Sequence, residues 1–293
     1  MPKRLPRART LKGEPKLAYY DSGGGISGEL AIVLAHAALA RSEDWENVFP
    51  RLATRYRVVA YDQRGHGRSG RAASYTLREF GEDALRVLRE VVRSPAAVVG
   101  ASLGALCALA AAAGAEGAVA GVVLEEPPLR YGAAWDAAAY ADLRGALDHL
   151  DDAKAFAKVV AKRPLPSPGP RGERTYGELR GFYAAERVVT YFRDLDPAFI
   201  DSRTTGDDPT AAPSIAEWIG AVRCPVLVLA GEPRLGSSLD DNGEWKLKQS
   251  VKDLTVKRFP GNGQLIHGFR PEQFIENLEP FLRRLRTAVP SEV

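Results

Sequence analysis

The feature that most constrains this chain is an alternation of short, continuously apolar runs with segments of helical periodicity. The run "YRVVAYDQRG" (56–65) is rich in Val and Tyr and has the length of a buried strand. Strands that are apolar on both faces are typical of a parallel sheet covered by helices. Further strands are predicted at 17–23, 30–38, 118–128, 224–232 and 254–261, and the pattern of 96–114 predicts a strand, a glycine turn and an alanine-rich helix.

This alternation stops between 129 and 221, where two helical patterns flank the Pro/Gly-rich stretch "PLPSPGPRG". A chain of 293 residues suits one large core with an insertion. We predict an α/β fold with a mostly parallel central sheet, built from 17–128 and 222–293. Residues 129–221 are expected to form a helical cap over the C-terminal ends of the strands, and 1–16 a mobile basic arm.

Composition narrows the classes of partner. Hydrophobic residues make up 45% and charged residues 26%, with a formal net charge of +3, as in ordinary globular proteins. Since no basic stripe is interleaved with aromatic residues, we predict no nucleic-acid partner; for the basic arm, a solvated tail is favoured over an anionic partner. The apolar run 30–40 is too short to span a bilayer of about 30 Å, and no signal peptide is recognisable, so we predict a cytoplasmic protein without a membrane partner.

Cofactors are not expected either. The two cysteines, Cys107 and Cys224, lie in apolar contexts and are interpreted as buried fillers rather than a disulfide framework. No cluster of His, Cys and carboxylates has metal-ligand spacing, so neither a structural nor a catalytic metal is predicted. The oligomeric state is left open.

One pentapeptide carries a chemical signal. Gly100, Ser102 and Gly104 give G-x-S-x-G between a buried strand and a helix, which is the setting of a nucleophile elbow. The helix start would direct free backbone N–H groups at an anion formed near Ser102. The alternative is a tight turn whose serine merely caps the helix.

With the neighbouring motifs, the chain resembles the α/β-hydrolase superfamily over about 17–286. The segments that carry the resemblance are "VLAHAAL", "YDQRGHGRS", "VVGASLGALCAL", "VVLEEPPL" and "PVLVLAGE". The resemblance implies Ser102 as nucleophile and an oxyanion hole formed by the backbone N–H groups of Leu103 and Ala38. His36 is expected to organise its loop, with His66, and to lie beside the substrate.

The catalytic set departs from the family pattern at two places. By resemblance the base should stand where "PGNGQLIHGF" has Gln264, and the acid where Arg234 stands. An amide has no lone pair basic enough to take the serine proton near neutral pH. Losing a triad base costs on the order of 10⁶ in turnover, and the oxyanion hole and binding leave about 10³–10⁴ over water.

Several interpretations remain. His267 could act as base through a shifted loop, oriented by Glu126, Glu125 or Glu232. Alternatively, the site could perform non-hydrolytic lyase or cyclase chemistry, with Gln264 donating a hydrogen bond and Arg234 holding a carboxylate or enolate. It could also bind a small apolar ligand without turnover. An introduced inactivating change at Gln264 is a fourth possibility, but Arg234 argues against a single substitution. We favour a serine-dependent enzyme acting on a small, largely apolar carbonyl compound, with an atypical triad.

Overall fold

The structure is a computed structural model of the chain. It describes residues 5–24, 30–130, 140, 141, 143–145, 147, 150–162, 164, 165, 174, 175, 177, 178, 182–205 and 208–288. Among the helices of these residues, none is both long and apolar enough to cross a membrane.

A twisted eight-stranded sheet forms the centre of the molecule. In the order in which they lie side by side, the strands are β1-β2-β4-β3-β5-β6-β9-β10. Strands β1 and β2 run antiparallel to their neighbours, and the other contacts are parallel. Their bounds are β1 Arg9–Leu11, β2 Leu17–Asp21, β3 Ala31–Ala35, β4 Val58–Tyr61, β5 Ala96–Ala101, β6 Val119–Glu125, β9 Val226–Ala230 and β10 Leu254–Arg258. The predicted mostly parallel α/β sheet is confirmed.

Both faces of this sheet are buried. Successive strand side chains point to opposite faces, so that Val33 and Val59 pack into one core cluster, and Ile32 and Leu34 into a second. The helices are α1 Phe49–Leu52, α2 Leu77–Arg86, α3 Leu103–Gly114, α4 Ala153–Lys162, α5 Phe182–Phe192, α6 Pro197–Thr204, α7 Ala211–Ala221, α8 Asp241–Ser250, α9 Ile266–Phe269 and α10 Pro271–Ala288. This two-sided burial explains why the strands are apolar throughout.

The N-terminal segment differs from its prediction. Residues Arg9–Leu11 pair in antiparallel register with Leu17–Asp21, and Arg9 lies 3.8 Å from the Asp21 carboxylate. This part of the predicted mobile arm (1–16) is therefore the edge strand of the sheet. Three residues between prolines and basic residues are too few to show a strand period, so this strand could not be predicted from periodicity.

Between β6 and β9 the chain leaves the sheet, as the sequence predicts for 129–221. Helices α4 to α7 lie in this stretch, together with a short antiparallel pair, β7 Pro164–Leu165 and β8 Arg174–Thr175. The start of the predicted insertion, 131–139, and the proline-rich stretch at 166–173 lie outside the described residues. That the insertion acts as a cap over a pocket stays a prediction.

Candidate active site

Ser102 stands alone between a strand and a helix. Strand β5 ends at Ala101, α3 begins at Leu103, and the serine has φ 51° and ψ −112°. A non-glycine residue with positive φ is strained, and the surrounding structure must hold it. Part of that hold is the hydrogen bond from the Ser102 N–H to the carbonyl of Glu125, at 2.8 Å.

The two glycines of the motif leave room for this turn. A Cβ on Gly100 would collide with the carbonyl group of Gly104, and a Cβ on Gly104 would collide with the carbonyl oxygens of Ala35 and His36. The first turn of α3 is therefore packed directly against the end of β3. Larger residues at either position would force the elbow apart.

The loop after β3 carries a second backbone donor, the N–H of Ala38. Leu39 has φ 64°, and its N–H donates to His66 Nε2 at 3.3 Å, which shapes the loop around Ala38. Within the described part of the chain, the N–H groups of Ala38 and Leu103 donate to no protein acceptor. Unused backbone donors are one requirement of an oxyanion hole.

His36 is buried, and both of its ring nitrogens contact protein groups. Its Nδ1 lies 2.7 Å from the carbonyl of Ala37, and its Nε2 accepts the N–H of Gln63 at 2.9 Å. Burial lowers the pKa of this imidazole, so the ring is neutral, with Nδ1 as donor. The predicted loop-organising contacts are therefore present, but neither ring nitrogen is left for a substrate.

Both ring nitrogens of His66 also contact the backbone. Its Nε2 accepts the N–H of Leu39, as described above, and its Nδ1 lies 2.8 Å from the Arg64 carbonyl. Its ring centroid is 5.4 Å from that of His36. Burial, above all, lowers the pKa of His66 to about 3. A histidine that stays neutral and accepts a backbone N–H fixes the loop; it does not take a proton from serine.

Gln264 is held by the loop that follows β9. Its amide nitrogen donates to the Ser238 hydroxyl at 3.0 Å. The next residue, Leu265, has φ 54° and precedes α9. An amide at this place can donate and accept hydrogen bonds but cannot act as a base.

A buried carboxylate reaches the same loop from β6. Glu126, with φ 51°, accepts hydrogen bonds from the Ser238 N–H and the Ser237 hydroxyl, both at 2.7 Å, and from the Gly231 N–H. Burial raises the pKa of Glu126 to about 7, aided by the charge of Glu125 and opposed by the three donors. Ser238 thus connects Glu126 with Gln264, as the sequence did not predict.

Arg234 lies at the surface. It belongs to a single 3₁₀ turn, Pro233–Leu235, and its guanidinium pairs with the Glu232 carboxylate. The side chain is 70% exposed. This position does not support the predicted role of Arg234 in holding a buried substrate carboxylate.

His267 is enclosed by two carboxylates. Its Nδ1 lies 2.6 Å from Glu125 Oε2, its backbone N–H donates to Glu125 Oε1, and its Nε2 lies 3.1 Å from Asp44 Oδ2. The ring stacks on Trp45 at a centroid distance of 4.1 Å and is 1% exposed. Burial alone would lower the pKa of this imidazole, but the two carboxylates raise it to about 10.

This arrangement argues against His267 as the base. Glu125 does orient the ring, as one sequence hypothesis required, but the second nitrogen faces Asp44 instead of Ser102. An imidazolium with both N–H groups bound has no lone pair to accept a proton. Among the described residues, no side chain hydrogen-bonds the Ser102 hydroxyl.

Asp44 was not predicted from the sequence as a site residue. It lies in a 3₁₀ turn, Ser42–Trp45, where acidic residues indicate only a helix start. Its histidine partner is 223 residues away along the chain. No local pattern reports such a contact.

A neighbouring arginine joins this loop to the insertion. Arg41 pairs with Asp194 at 2.5 Å, just after α5, and its guanidinium lies 5.0 Å from the ring centroid of Tyr191. It also contacts Glu43 at 3.2 Å. The loop that carries Ala38 is thus attached to the inserted helices.

Metal ligation finds no support within the described ranges, where no group of three or more His, Cys, Asp or Glu residues could hold an ion. Both cysteines are free thiols, Cys107 buried and Cys224 partly so.

Known proteins resemble this chain along most of its length. A family model described as "Alpha/beta hydrolase family" matches residues 32–277. The 2-(acetamidomethylene)succinate hydrolase of Mesorhizobium japonicum is 27% identical over 270 residues, 87% of this chain and 88% of that protein. A candidate carbamate hydrolase, RutD of Variovorax paradoxus, is 32% identical over 286 residues, 91% of this chain and 96% of that protein.

Other similarities are shorter or concern the fold alone. The match to the hydrolase YraK of Bacillus subtilis spans 27% of this chain and only 30% of that protein. Among solved structures, a carboxylesterase of Nitrososphaera gargenis superimposes with a TM-score of 0.73 at 18% identity, covering 96% of this chain and 100% of that one.

Proposed function

Because this chain belongs to the alpha/beta hydrolase family, we propose that Ser102 is the nucleophile of an enzyme that acts on a small, largely apolar, ester-like carbonyl compound. The observation that carries the proposal is the backbone of Ser102, held at φ 51° and ψ −112° at the start of α3. Strain of this kind costs about 1–3 kcal/mol and is concentrated at active sites. A serine that only capped the helix would not need it.

The chemistry follows from the groups around the serine. A carbonyl oxygen placed between the N–H groups of Leu103 and Ala38 would gain negative charge as the Ser102 oxygen attacks. The helix start stabilises that charge. The relatives named above hydrolyse, by their names, an acetamidomethylene compound and, for the candidate, a carbamate, which favours small acyl compounds as the class.

Proton removal is the weak step of this proposal. Gln264 offers an amide, and His267 is an imidazolium bound by Glu125 and Asp44. Solvent must then take the Ser102 proton. Turnover is expected on the order of 10⁶ below that of an intact triad, with about 10³–10⁴ over water left from the oxyanion hole and binding.

A second candidate function is binding of a small carbonyl ligand without turnover. It is favoured by one observation: the Gln264 amide is directed to Ser238, so the position of the family's base is filled by a hydrogen-bonding group that completes a loop contact. A pocket of this kind would keep the oxyanion hole for recognition. Non-hydrolytic lyase or cyclase chemistry has no specific observation in its favour.

Reaction with an activated p-nitrophenyl phosphonate separates the two candidates. We expect intact mass spectrometry to show one label per chain, mapped to Ser102, and slow release of nitrophenol from short p-nitrophenyl esters. Ser102→Ala should abolish both, whereas Ser74→Ala makes the same change at an exposed serine and should alter neither. A folded parent protein that takes up no label, yet is stabilised by small carbonyl ligands, would favour the binder.

A further inference from the structure

The imidazolium of His267 joins three separate parts of the chain. It lies on α9, and it contacts Glu125 at the end of β6 and Asp44 in the turn after β3. Its face stacks on Trp45, and Phe274 of α10 lies at 6.1 Å from its centroid. Within the described structure, this buried ion-paired cation is not used by the chemistry proposed above.

The contact with Glu125 connects the cation to the nucleophile. The Glu125 carboxylate binds both the ring and the backbone N–H of His267, while its carbonyl oxygen accepts the Ser102 N–H at 2.8 Å. Glu125 is also paired with Ala101 in the β5–β6 register. One residue therefore holds the strained elbow through its backbone and the imidazolium through its side chain.

The contact with Asp44 connects the cation to the other half of the anion site. Asp44 lies six residues after Ala38, in the same loop. That loop is also tied by the Ser42 N–H, which donates to Asp62 Oδ1 at 2.8 Å, and by the Leu39 N–H on His66. The position of the Ala38 N–H relative to Ser102 thus depends on a bridge that runs through His267.

We propose that His267 is a positioning residue for the oxyanion hole: it sets the distance between the loop that carries Ala38 and the strand end that carries Ser102. The proposal rests on the proposed function in that it assigns the hole a catalytic use. Removing the imidazolium takes away the cation that lies between the buried Glu125 carboxylate and the partly buried Asp44 carboxylate, which is unfavourable for two like charges held this close. Either the loop of Asp44 must then move, or one of the two carboxylates must take up a proton.

Amide hydrogen exchange tests the bridge without reference to activity. In His267→Gln and in the milder Asp44→Asn, the Leu39 and Ser42 amides should exchange at least about tenfold faster than in the parent. The Arg68 amide is the internal reference, since it donates to the other oxygen of Asp62 from a different loop. Unchanged exchange at Leu39 and Ser42 in folded variants would overturn the proposal.

Labelling of Ser102 then tests whether the bridge matters to the site. Losing one oxyanion-hole donor costs about 10²–10³ in rate, and we expect a displaced donor to lower the maximal rate of phosphonate labelling about tenfold or more, with little change in the half-saturating concentration. Glu272→Gln is the control, because it removes an exposed ion pair with Arg51 and leaves the bridge intact.

The outcomes are distinct. Faster exchange with unchanged labelling would mean that His267 only stabilises the fold, which overturns a positioning role. Absence of labelling in the parent would refute the proposed function, while the exchange result would still decide whether His267 fixes the loop. If His267→Gln does not fold, Asp44→Asn supplies both measurements, because Glu125 still balances the imidazolium.

Discussion

Replacing Gln264 by histidine should give Ser102 the base that it lacks. The Gln264 amide nitrogen lies 3.0 Å from the Ser238 hydroxyl, and Ser238 also donates its N–H to Glu126 at 2.7 Å. An imidazole at 264 would therefore be separated by Ser238 alone from a buried carboxylate that we expect to orient it. A positioned general base contributes about 10²–10⁴ in rate, and we expect a gain in that range for Gln264→His with an activated p-nitrophenyl ester.

Glu126 should be necessary for most of that gain. Adding Glu126→Gln to Gln264→His should remove at least about nine-tenths of it, because a base without its orienting acid loses rate by orders of magnitude. Activity of Gln264→His should rise as the pH increases through about 7, since the pKa of Glu126 is raised to about 7 and only its ionised form orients an imidazolium.

The choice of acid is specific to this structure. By resemblance the acid should stand at Arg234, but Arg234 is 70% exposed and pairs with Glu232, so we expect little further gain from adding Arg234→Asp to Gln264→His. Gln264→Met controls for loss of the amide without a new base. A folded Gln264→His that labels at Ser102 like the parent, with no change in ester turnover, would refute this reasoning.

Two further predictions concern stability. Gly104→Ala should destabilise the protein by about 2 kcal/mol or more in urea unfolding, because its Cβ would collide with the Ala35 carbonyl. As the control, Gly220→Ala lies on a helix with open space around it and should be neutral or stabilising by about 0.5–1 kcal/mol. The reverse order of stabilities would contradict the packing described for the elbow. The pKa of His267 is raised from 6.5 to about 10, so its stabilisation is fully present below pH 6.5 and is lost as the pH rises toward 10. The free energy of unfolding should fall over that range with a contribution of at most about 1.4 kcal/mol per pH unit, and His267→Gln should remove this contribution; an unchanged pH slope in that variant would contradict the charged bridge.

The sequence predicts those parts of the structure that are local in the chain. A buried strand, G-x-S-x-G and an apolar helix stand consecutively at 96–114, and the steric demand at Gly100 and Gly104 is set by neighbours within that turn and by β3. The family motifs predict the fold for the same reason. Each of them forms one strand with its loop.

The features that could not be predicted from the sequence are contacts between residues far apart in the chain. His267 and Asp44 are 223 residues apart, and Glu126 meets Ser238 across 112. The sequence also does not reveal the exposure of Arg234, which a 3₁₀ turn closed by Gly236 at φ 86° places at the surface. Spacing alone cannot reveal where such a turn directs a side chain.

Arg41 joins the loop of the proposed oxyanion hole to the inserted helices. Its guanidinium stacks on Tyr191 and pairs with Asp194 in the inserted helices, and it lies three residues from Ala38. A substrate bulky enough to shift the inserted helices would therefore also pull on Arg41 and on the segment that carries the Ala38 N–H. If that N–H serves the proposed oxyanion hole, such a substrate should slow the chemical step itself, even where tighter apolar contact improves affinity.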